Sequence, residues 1–404
     1  MIFVGVDWAE AHHDICVLNE AGDVLARKRI PDTLAGVREL HELVMTQAEE
    51  PDEVIVGIEK DRGLVVTAML GANYHVYALN PMSVARYRER HVTSGSKSDP
   101  GDAKVLADVV RTDRHNHREA AGDSENADAI KVLARAHQRA IWSRQREKNE
   151  LCNVLKDYYP GALTAFGTDL DHGDAVEILV VAPTPALGRE LSLSKITAAL
   201  RRGGRQRNLE RRAKEIQHAL REEQLHERAK IELAYGTITS AHVAMIRAYS
   251  EKITELEAAL AEDFEQHPDA KIIRSLPGLG TILGARVLGE FGDDPNRYAD
   301  SKSRRNYAGT SPVTKASGKS RVVLARYSRN RHLADAADQW AFCSLKQSPG
   351  ARAYYDELRA RGKTHRRAIR QLANRWVGIL HACLEQRVAY DENLAWKHRA
   401  DIAA

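Results

Sequence analysis

The sequence predicts an α/β domain at the N-terminus, followed by a long helical and coiled-coil region and a mainly α-helical C-terminal domain. Strand-like apolar runs are concentrated in roughly the first 115 residues, and they almost vanish between Ser124 and about residue 265. The chain has 404 residues, of which 43% are hydrophobic. This length and apolar fraction suffice for two or three domains with buried cores, which excludes disordered and collagen-like chains.

The N-terminal elements follow a defined order. Residues 2–7, 13–18 and 24–30 are predicted to form three strands joined as hairpins. Helices and strands then alternate, and a last helix begins at Asp99 or Pro100. The predicted helices between these points are 34–49, 63–71 and 81–89, and the strands are 54–59 and 75–79. Three antiparallel strands followed by alternating helices and strands are typical of a ribonuclease H/RuvC-like mixed sheet.

The rest of the chain is predicted to be helical, with a long charged helix over residues 125–157. Five apolar residues further on are spaced by three and four positions, as in two heptads, which fits either an intramolecular hairpin or an intermolecular coiled coil. They are Ile246, Tyr249, Ile253, Leu256 and Leu260. The predicted domains are 1–120 (α/β), 121–267 (helical and coiled-coil), 268–392 (C-terminal domain) and 393–404 (a loose tail).

Composition and spacing exclude several classes of protein. No apolar run approaches the roughly 20 residues that a membrane-spanning helix needs, so no membrane association is expected. Residues 2–6 are strand-like and follow no charged leader, which argues against a secretory signal. The cysteines are scattered without a CxxC pair, which predicts reduced thiols in a cytoplasmic protein and no zinc site. They are Cys16, Cys152, Cys343 and Cys383.

Positive charge is concentrated in two stripes, although the net charge is only +4. Residues 201–214 hold seven Lys/Arg and one Glu, and residues 301–333 hold nine Lys/Arg without any Asp or Glu. Local basic stripes of this kind are typical of a surface that binds a polyanion. The first stripe fits a solvated helix face equally well. The second contains Gly, Ser and Pro, cannot be one long helix, and therefore favours contact with a ligand.

Four acidic residues are predicted to meet at one edge of the sheet. Asp7 and Glu59 end two strands that are neighbours in this layout, and Asp99 and Asp102 share one face at the start of a helix. Carboxylates brought together in this way need a cation, and hard oxygen ligands favour Mg²⁺, with Mn²⁺ as the alternative. Two such ions support phosphodiester chemistry. Taken singly, Asp99 also fits an N-cap, and Asp102 also fits an acidic residue that interacts favourably with the helix dipole.

Two motifs in the C-terminal domain suggest contact with phosphates. The run 275–280 before a helix resembles a helix-hairpin-helix, in which Gly278 and Gly280 would let backbone N–H groups approach a phosphate. A simple turn between core helices is the alternative. Further on, Ser317 in a Gly-flanked cationic loop could attack a phosphodiester, with Lys319 and Arg321 holding the phosphate. Alone, this serine is a weak signal, because Ser-Gly in a loop usually serves only the turn.

Taken together, these motifs resemble bacterial insertion-sequence transposases of the DEDD class, which are related to Piv-type DNA invertases. The matching segments are Val4-Gly5-Val6-Asp7, Ile58-Glu59, Asn80-Pro81, Lys97-Ser98-Asp99-Pro100-Gly101-Asp102-Ala103, Leu276-Pro277-Gly278-Leu279-Gly280, Tyr307-Ala308-Gly309 and Ser311-Pro312 through Ser317-Gly318. The order of these segments runs nearly the full length of the chain.

The resemblance implies a specific set of roles and partners. It implies that the acidic quartet Asp7, Glu59, Asp99 and Asp102 binds Mg²⁺ and that Ser317 is the nucleophile. It also implies DNA partners at the element ends and target, a guide (bridge) RNA, and homo-oligomers that assemble from dimer to tetramer. A protein of this kind would act in the cytoplasm, associated with the nucleoid.

Three other interpretations remain beside the transposase. A RuvC-like structure-selective nuclease would use metal-activated water and leave Ser317 structural. An actin-like or sugar-kinase ATPase also begins with a strand ending in Asp, but it needs Gly-rich phosphate hairpins after its strands, and this sequence has none. A non-catalytic nucleic-acid scaffold would use the acidic residues only as helix caps.

Overall fold

The computed structural model describes residues 1–91, 99–120, 122–318, 320–326 and 329–403, and the side chains of His91, Asp99, Arg118 and 398–403 are not described. The chain divides into two compact units. The first contains residues 1–123 together with 294–297, and the second contains residues 124–293 and 298–404. Each unit contains two hydrophobic cores of its own.

The first unit is built on a six-stranded mixed sheet with the strand order β3-β2-β1-β4-β5-β6. β1 is antiparallel to β2 and parallel to β4, and β4 is parallel to β5. This topology confirms the ribonuclease H/RuvC-like prediction. The two-residue edge strand β6 was not predicted, because two residues leave no alternating pattern. The strands are β1 Ile2–Trp8, β2 His12–Leu18, β3 Val24–Pro31, β4 Val54–Ile58, β5 His75–Ala78 and β6 Arg118–Glu119.

Helices cover both faces of this sheet, and a separate core lies on each face. Side chains alternate along β1, so Val4 and Val6 belong to the core on one face and Phe3 to the core on the other. The core that contains Phe3 is formed against α4, with Leu106 and Val110 among its residues. The helices are α1 Leu34–Met45, α2 Leu64–Gly71, α3 Pro81–His91 and α4 Asp99–Asp113.

The backbone of α4 lies directly against the sheet at two glycines. Gly5 in β1 and Gly57 in β4 are opposite each other in the parallel pair. A Cβ atom at Gly5 would overlap the carbonyl oxygen of Ala103 and lie 2.6 Å from the backbone nitrogen of Ala107, while one at Gly57 would lie 2.6 Å from the carbonyl oxygen of Leu106. Only glycine allows this close approach. The pair of glycines therefore sets where α4 lies on the sheet.

The second unit is organised around two long helices, α5 Glu125–Tyr158 and α11 Ala229–Gln266, which pack along each other within one chain. They are antiparallel, because residues early in α5 meet residues late in α11. The contacts along the pair are Asn126 to Asp263, His137 to Glu257, Arg144 to Ser250, Glu147 to His242 and Tyr158 to Thr239. The heptad residues Ile246, Ile253 and Leu260 are buried in this unit. The intramolecular alternative is therefore the one that the structure contains.

Five shorter helices between α5 and α11 enclose a core at the far end of this pair. Tyr158, Tyr159 and Leu220 are among its fully buried side chains. Within the described ranges, no helix, including the two long ones, is long and apolar enough to cross a bilayer. The five helices are α6 Pro160–Phe166, α7 Gly173–Val181, α8 Pro185–Glu190, α9 Leu193–Arg202 and α10 Leu209–Arg221.

The remaining helices form a second core, in which the indole rings of Trp340 and Trp376 stack at 5.6 Å. A two-stranded hairpin, β7 Val313–Ser317 and β8 Ser320–Leu324, interrupts them. The helices are α12 Ala270–Ser275, α13 Thr281–Phe291, α14 Ser301–Tyr307, α15 Arg331–Ser344, α16 Pro349–Ala360, α17 His365–Gln386 and α18 Glu392–Ala403.

The loose tail predicted for 393–404 differs from what the structure contains. These residues, to Ala403, belong to α18, and Trp396 is buried in the C-terminal core. Its ring contacts Trp376 edge-on at 5.8 Å and lies beside Tyr354. A single buried indole on a short polar helix anchors the segment, because aromatic side chains bury a large apolar area. A polar sequence with one tryptophan gives no periodicity from which this could be predicted.

The close approach of α4 to the sheet predicts a severe effect of Gly5→Ala. The added methyl group must displace the backbone of α4, so the free energy of unfolding should fall by at least about 2 kcal/mol. Chemical denaturation followed by circular dichroism measures this. Gly71→Ala is the matched control, because a Cβ there meets nothing within 4 Å. The control should leave stability unchanged or raise it slightly, and equal stability of the two variants would contradict the proposed packing constraint.

Candidate functional site

Two of the predicted acidic residues lie at the same edge of the sheet. Asp7 is the next-to-last residue of β1, and Glu59 directly follows β4. The last paired residues of these parallel strands are Val6 and Ile58, so the two acids are the next residues in register. Alternation along β1 places Asp7 on the same face as Gly5, which is the face that α4 covers. Asp7 is half-buried and Glu59 is exposed.

Asp102 lies in the first turn of α4, next to the residue that contacts Gly5. Its side chain is buried, and one carboxylate oxygen lies 2.6 Å from a guanidinium nitrogen of Arg88 in α3. The Nε of Arg88 is also buried and finds no hydrogen-bond partner among the described residues. Arg88 therefore compensates the charge of Asp102. Sequence reasoning missed this arginine, because α3 carries several basic residues and no spacing singles this one out.

Asp99 is the first residue of α4, and its side chain lies outside the described residues. Among the side chains that the structure does describe, no group of three or more His, Cys, Asp and Glu is placed to hold a metal ion. The kind of ligand nevertheless fits a hard divalent cation, which prefers carboxylate oxygens. Two carboxylates end adjacent strands, and a third lies in the first turn of the helix that packs on those strands. A cation there would share Asp102 with Arg88.

A lysine and a tryptophan lie beside the acidic edge. The Nζ atom of Lys60, which follows Glu59, is 2.6 Å from the centroid of the Trp8 ring, which follows Asp7. Burial lowers the pKa of Lys60, and the negative charges of Asp32 and Glu10 partly oppose this shift. The contact holds the two strand ends together by a cation–π interaction. It also places a positive charge near the acids, which sequence reasoning did not identify.

Ser317 is the last residue of β7, so the structure places it on a hairpin and not in a loop without strands. It pairs with Ser320 across the two-stranded sheet, and both are exposed. Gly318 adopts a φ of +53° in the turn that follows, a left-handed conformation that glycine takes without strain. The serine hydroxyl therefore lies at the exposed tip of a tight hairpin.

The cations predicted to hold a phosphate near this serine are only partly described. Arg321 is exposed on β8 and pairs with Ala316 across the hairpin. Lys319 lies outside the described residues. Lys315 is exposed on β7. As predicted, the second basic stripe is not one helix: it spans α14, the hairpin and the start of α15.

The helix-hairpin-helix motif is a turn between α12 and α13. Gly278 has a φ of +88° and packs on the backbone of α15, where a Cβ atom would lie 2.7 Å from the nitrogen of Ser344. Its N–H group donates to the side chain of Gln347, so it is not available to a phosphate in this structure. Gly280, at the N-cap of α13, is exposed, and a Cβ there would meet nothing within 4 Å. Of the two glycines, Gly280 keeps the open position that the motif requires.

Much of the first basic stripe is neutralised by neighbouring acids. Arg202 donates to Glu177, and Arg205 and Arg212 lie beside the buried Asp174. The hydrogen bond that Arg205 donates to the Asp174 carboxylate raises the pKa of Arg205. These arginines therefore tie α7, α9 and α10 together, which supports a structural role for this part of the stripe.

An ionic network around the buried Glu290 lies at the start of α15. Arg135 in α5 donates two hydrogen bonds, of 2.7 and 2.9 Å, to the carboxylate of Glu290 in α13. Glu290 also accepts from Asn330, whose own side chain caps α15. Burial raises the pKa of Glu290, but the bonds from Arg135 and Asn330 outweigh this effect, so the net pKa is lowered. The network fixes the position of Asn330 and with it the start of α15.

Two segments of the chain match known protein families. Residues 4–160 match a family of the DEDD IS110 type described as "Transposase". Residues 270–356 match the family described as "Transposase IS116/IS110/IS902 family". The first segment contains Asp7, Glu59, Asp99 and Asp102, and the second contains Gly278, Gly280 and Ser317.

Similar proteins extend over the whole chain. The chain is 42% identical, over 100% of its length and 98% of the relative, to the "Mini-circle putative transposase for IS117" of Streptomyces coelicolor. It is 27% identical to the insertion element IS110 43.6 kDa protein of the same organism, over 97% of this chain and 96% of the relative. It is 26% identical to the insertion element IS900 42 kDa protein of Mycobacterium paratuberculosis, over 96% and 97%.

The lowered pKa of Glu290 predicts a pH-dependent contribution to stability. A depressed carboxyl pKa contributes stability above the unfolded value of about 4.5 and loses it as the pH falls through the folded value. At pH 7, Glu290→Gln should therefore lower the free energy of unfolding by about 1–3 kcal/mol. The difference between wild type and variant should shrink as the pH falls from about 5 to 3. Urea denaturation at each pH measures it.

Glu262→Gln removes an exposed carboxylate from α11 and is the matched control for loss of one negative charge. A stability difference between wild type and Glu290→Gln that stays constant down to pH 3 would contradict the ionic role of the network.

Proposed function

Since the chain belongs to the IS116/IS110/IS902 family of transposases, enzymes that cut and join DNA, we propose that it recombines its insertion element through Ser317 as nucleophile. The observation that carries this proposal is the position of Ser317, which lies exposed at the tip of a basic hairpin within the segment that matches the family. A nucleophile that attacks a DNA strand must be reachable by a large substrate, and a hairpin tip meets this requirement.

The proposed chemistry conserves the energy of the phosphodiester bond. The Oγ atom of Ser317 bonds to phosphorus while one P–O ester bond breaks, and the departing sugar hydroxyl takes up the proton that the serine loses. A different sugar hydroxyl then attacks the phosphoserine, restores the serine and joins the new strand. No water and no nucleoside triphosphate are consumed. Lys315 lies two residues before Ser317 on the same face of the hairpin and can hold the phosphate oxygens, whereas Arg321, which pairs with Ala316, lies on the opposite face.

We infer that the acidic residues hold a divalent cation, which the family implies, and that this cation is Mg²⁺. Asp7, Glu59 and Asp102 are the residues that would hold it, with Asp99 completing the set. When bound, the cation supplies charge neutralisation of the phosphate and of the oxygens that attack and leave. Arg88 buffers the charge of Asp102, and Lys60 adds a second positive charge beside the strand ends. These cations favour approach of an anionic backbone to an acidic edge.

We further propose that a structured RNA from the element guides the choice of donor and target DNA, and that the protein acts as a tetramer. The support is the resemblance of the motifs to guided recombinases, together with the exposed basic surface around the hairpin. In this proposal one protomer supplies the acidic edge and another the serine. The alternative, a water-using nuclease, predicts hydrolysed ends and no covalent adduct.

Ser317→Ala should abolish covalent capture of DNA while leaving DNA and RNA binding unchanged. Wild type incubated with Mg²⁺, RNA from the element flank and labelled element-end DNA should give a slow, protease-sensitive band on a denaturing gel. Ser320→Ala is the control, because Ser320 is exposed and pairs with Ser317 in the same hairpin. It should retain the band. Free cleaved ends without an adduct in the wild type would support the nuclease instead.

Asp7→Asn and Glu59→Gln should each lower the yield of recombined DNA at least about 100-fold, because each removes charge needed to hold the cation. Chelation of divalent ions should abolish activity, and added Mg²⁺ should restore it in the wild type but not in Asp7→Asn or Glu59→Gln. Asp61→Asn removes an exposed acid two residues beyond Glu59 and is the control. Full activity of Asp7→Asn in Mg²⁺ would contradict the assignment.

A further inference from the structure

A cleft of about 540 Å³ lies beside the serine hairpin, between β8 and the first half of α17. Its volume lies within the range of sites that take a small molecule or a single building block of a polymer. It is too small for a duplex. None of the residues assigned above to catalysis lies in it, and its lining has two chemically different sides.

One side of the cleft is cationic. Arg366, Arg367 and Arg370 line it from the first two turns of α17. Arg366 and Arg367 are exposed, whereas the Nε of Arg370 is buried and has no hydrogen-bond partner among the described residues. Guanidinium groups bind phosphate oxygens in a planar, often bidentate geometry. Three of them on one wall favour an anionic ligand.

The opposite side is apolar and partly exposed. Val323 and Leu324 of β8 line the cleft and are 50% and 41% exposed. Pro312 and Tyr354 also line the cleft. Apolar and aromatic surface facing arginines is the combination that single-stranded nucleic acid uses, because bases stack on apolar faces while the backbone meets cations.

The floor of the cleft is connected to the hairpin. The side-chain oxygen of Asn374 in α17 accepts hydrogen bonds from the hydroxyls of Thr310 and Ser311, at 3.1 and 3.3 Å. Only Pro312 separates these two residues from β7, whose last residue is Ser317. A strand held in the cleft therefore lies against the same hairpin that carries the serine.

We propose that this cleft binds one unpaired nucleotide of a nucleic-acid strand, with its phosphate on the arginines of α17 and its base on the apolar wall of β8 and Tyr354. This proposal rests on the proposed function in one respect: the purpose of the site would be to hold the strand near Ser317. Its occupancy is a binding property and does not depend on the serine chemistry.

The first measurement compares two ligands of equal charge with the full-length protein. Fluorescence anisotropy gives the Kd of a labelled 12-mer of thymidylate and of a labelled 12-mer of abasic sugar phosphate at the same salt concentration. The proposal predicts that the thymidylate 12-mer binds about 5–100-fold more tightly, because a stacked base adds to the phosphate contacts. Equal affinity for the two ligands would overturn the base-binding side of the cleft.

The second measurement tests the arginines. The double variant Arg366→Gln/Arg367→Gln changes two exposed residues and should weaken thymidylate 12-mer binding about 10-fold or more. It should also reduce the slope of log affinity against log salt by about 1.4. The control Arg352→Gln/Arg361→Gln removes two exposed arginines from α16 and the turn that follows it, where each is paired with an acid of α16. Equal weakening by both double variants would show a general charge effect and overturn the site.

Ser317→Ala separates this proposal from the proposed function. It should bind the thymidylate 12-mer as tightly as the wild type. Loss of the covalent adduct together with intact, arginine-dependent binding supports both proposals. Arginine-dependent binding in a wild type that forms no adduct overturns the serine chemistry alone, and an adduct formed equally by the Arg366→Gln/Arg367→Gln variant overturns the cleft's role beside the serine.

Discussion

The contact on which the N-terminal unit depends is between backbones, not side chains. Gly5 and Gly57 are paired in adjacent parallel strands, and together they leave a shallow depression in which the backbone of α4 lies. Because α4 begins only a few residues before this contact, the depression also fixes the position of Asp102 in the first turn of the helix. Asp7 lies two residues beyond Gly5, and Glu59 lies two beyond Gly57. The same short segments therefore provide both the contact that positions the helix and the two acids at the ends of the strands.

The serine hairpin has the opposite character. An isolated two-stranded sheet is at best marginally stable, and this one leaves its apolar side chains half exposed. The segments on either side of the hairpin are held instead. Before β7, Thr310 and Ser311 donate hydrogen bonds to Asn374. Beyond β8, Asn330 donates to Glu290, which is paired with Arg135. Firm ends and an exposed tip suit the role proposed for Ser317, because a nucleophile at that position could reach a large substrate while the helices that hold the hairpin stay in place.

The sequence predicted what is periodic or ordered along the chain. The alternation of strands and helices predicted the sheet, and the long charged helical run predicted α5. The positions of Asp7 and Glu59 at the ends of their strands predicted that both lie at one edge of the sheet. Contacts between residues distant in sequence could not be predicted, since the pairing of Arg88 with Asp102 and the Gln347 bond to Gly278 depend on how helices pack. Short elements were also not predicted, because β7 and β8 have only five residues each and flank a glycine, so their sequence resembles a loop.

The antiparallel pair of α5 and α11 carries a constraint on how such chains can diverge. At about 1.5 Å per residue, 34 and 38 residues make rods of roughly 50 and 57 Å that lie side by side. Polar pairs such as His137 with Glu257 and Glu147 with His242 define a single alignment along this length. An insertion of one residue in one helix would rotate every side chain beyond it by about 100° around the helix axis and so break the pairs there. Length changes are therefore tolerated only when both helices change together, by whole turns. The distance between the two ends of the helix pair can accordingly change only in steps of one turn.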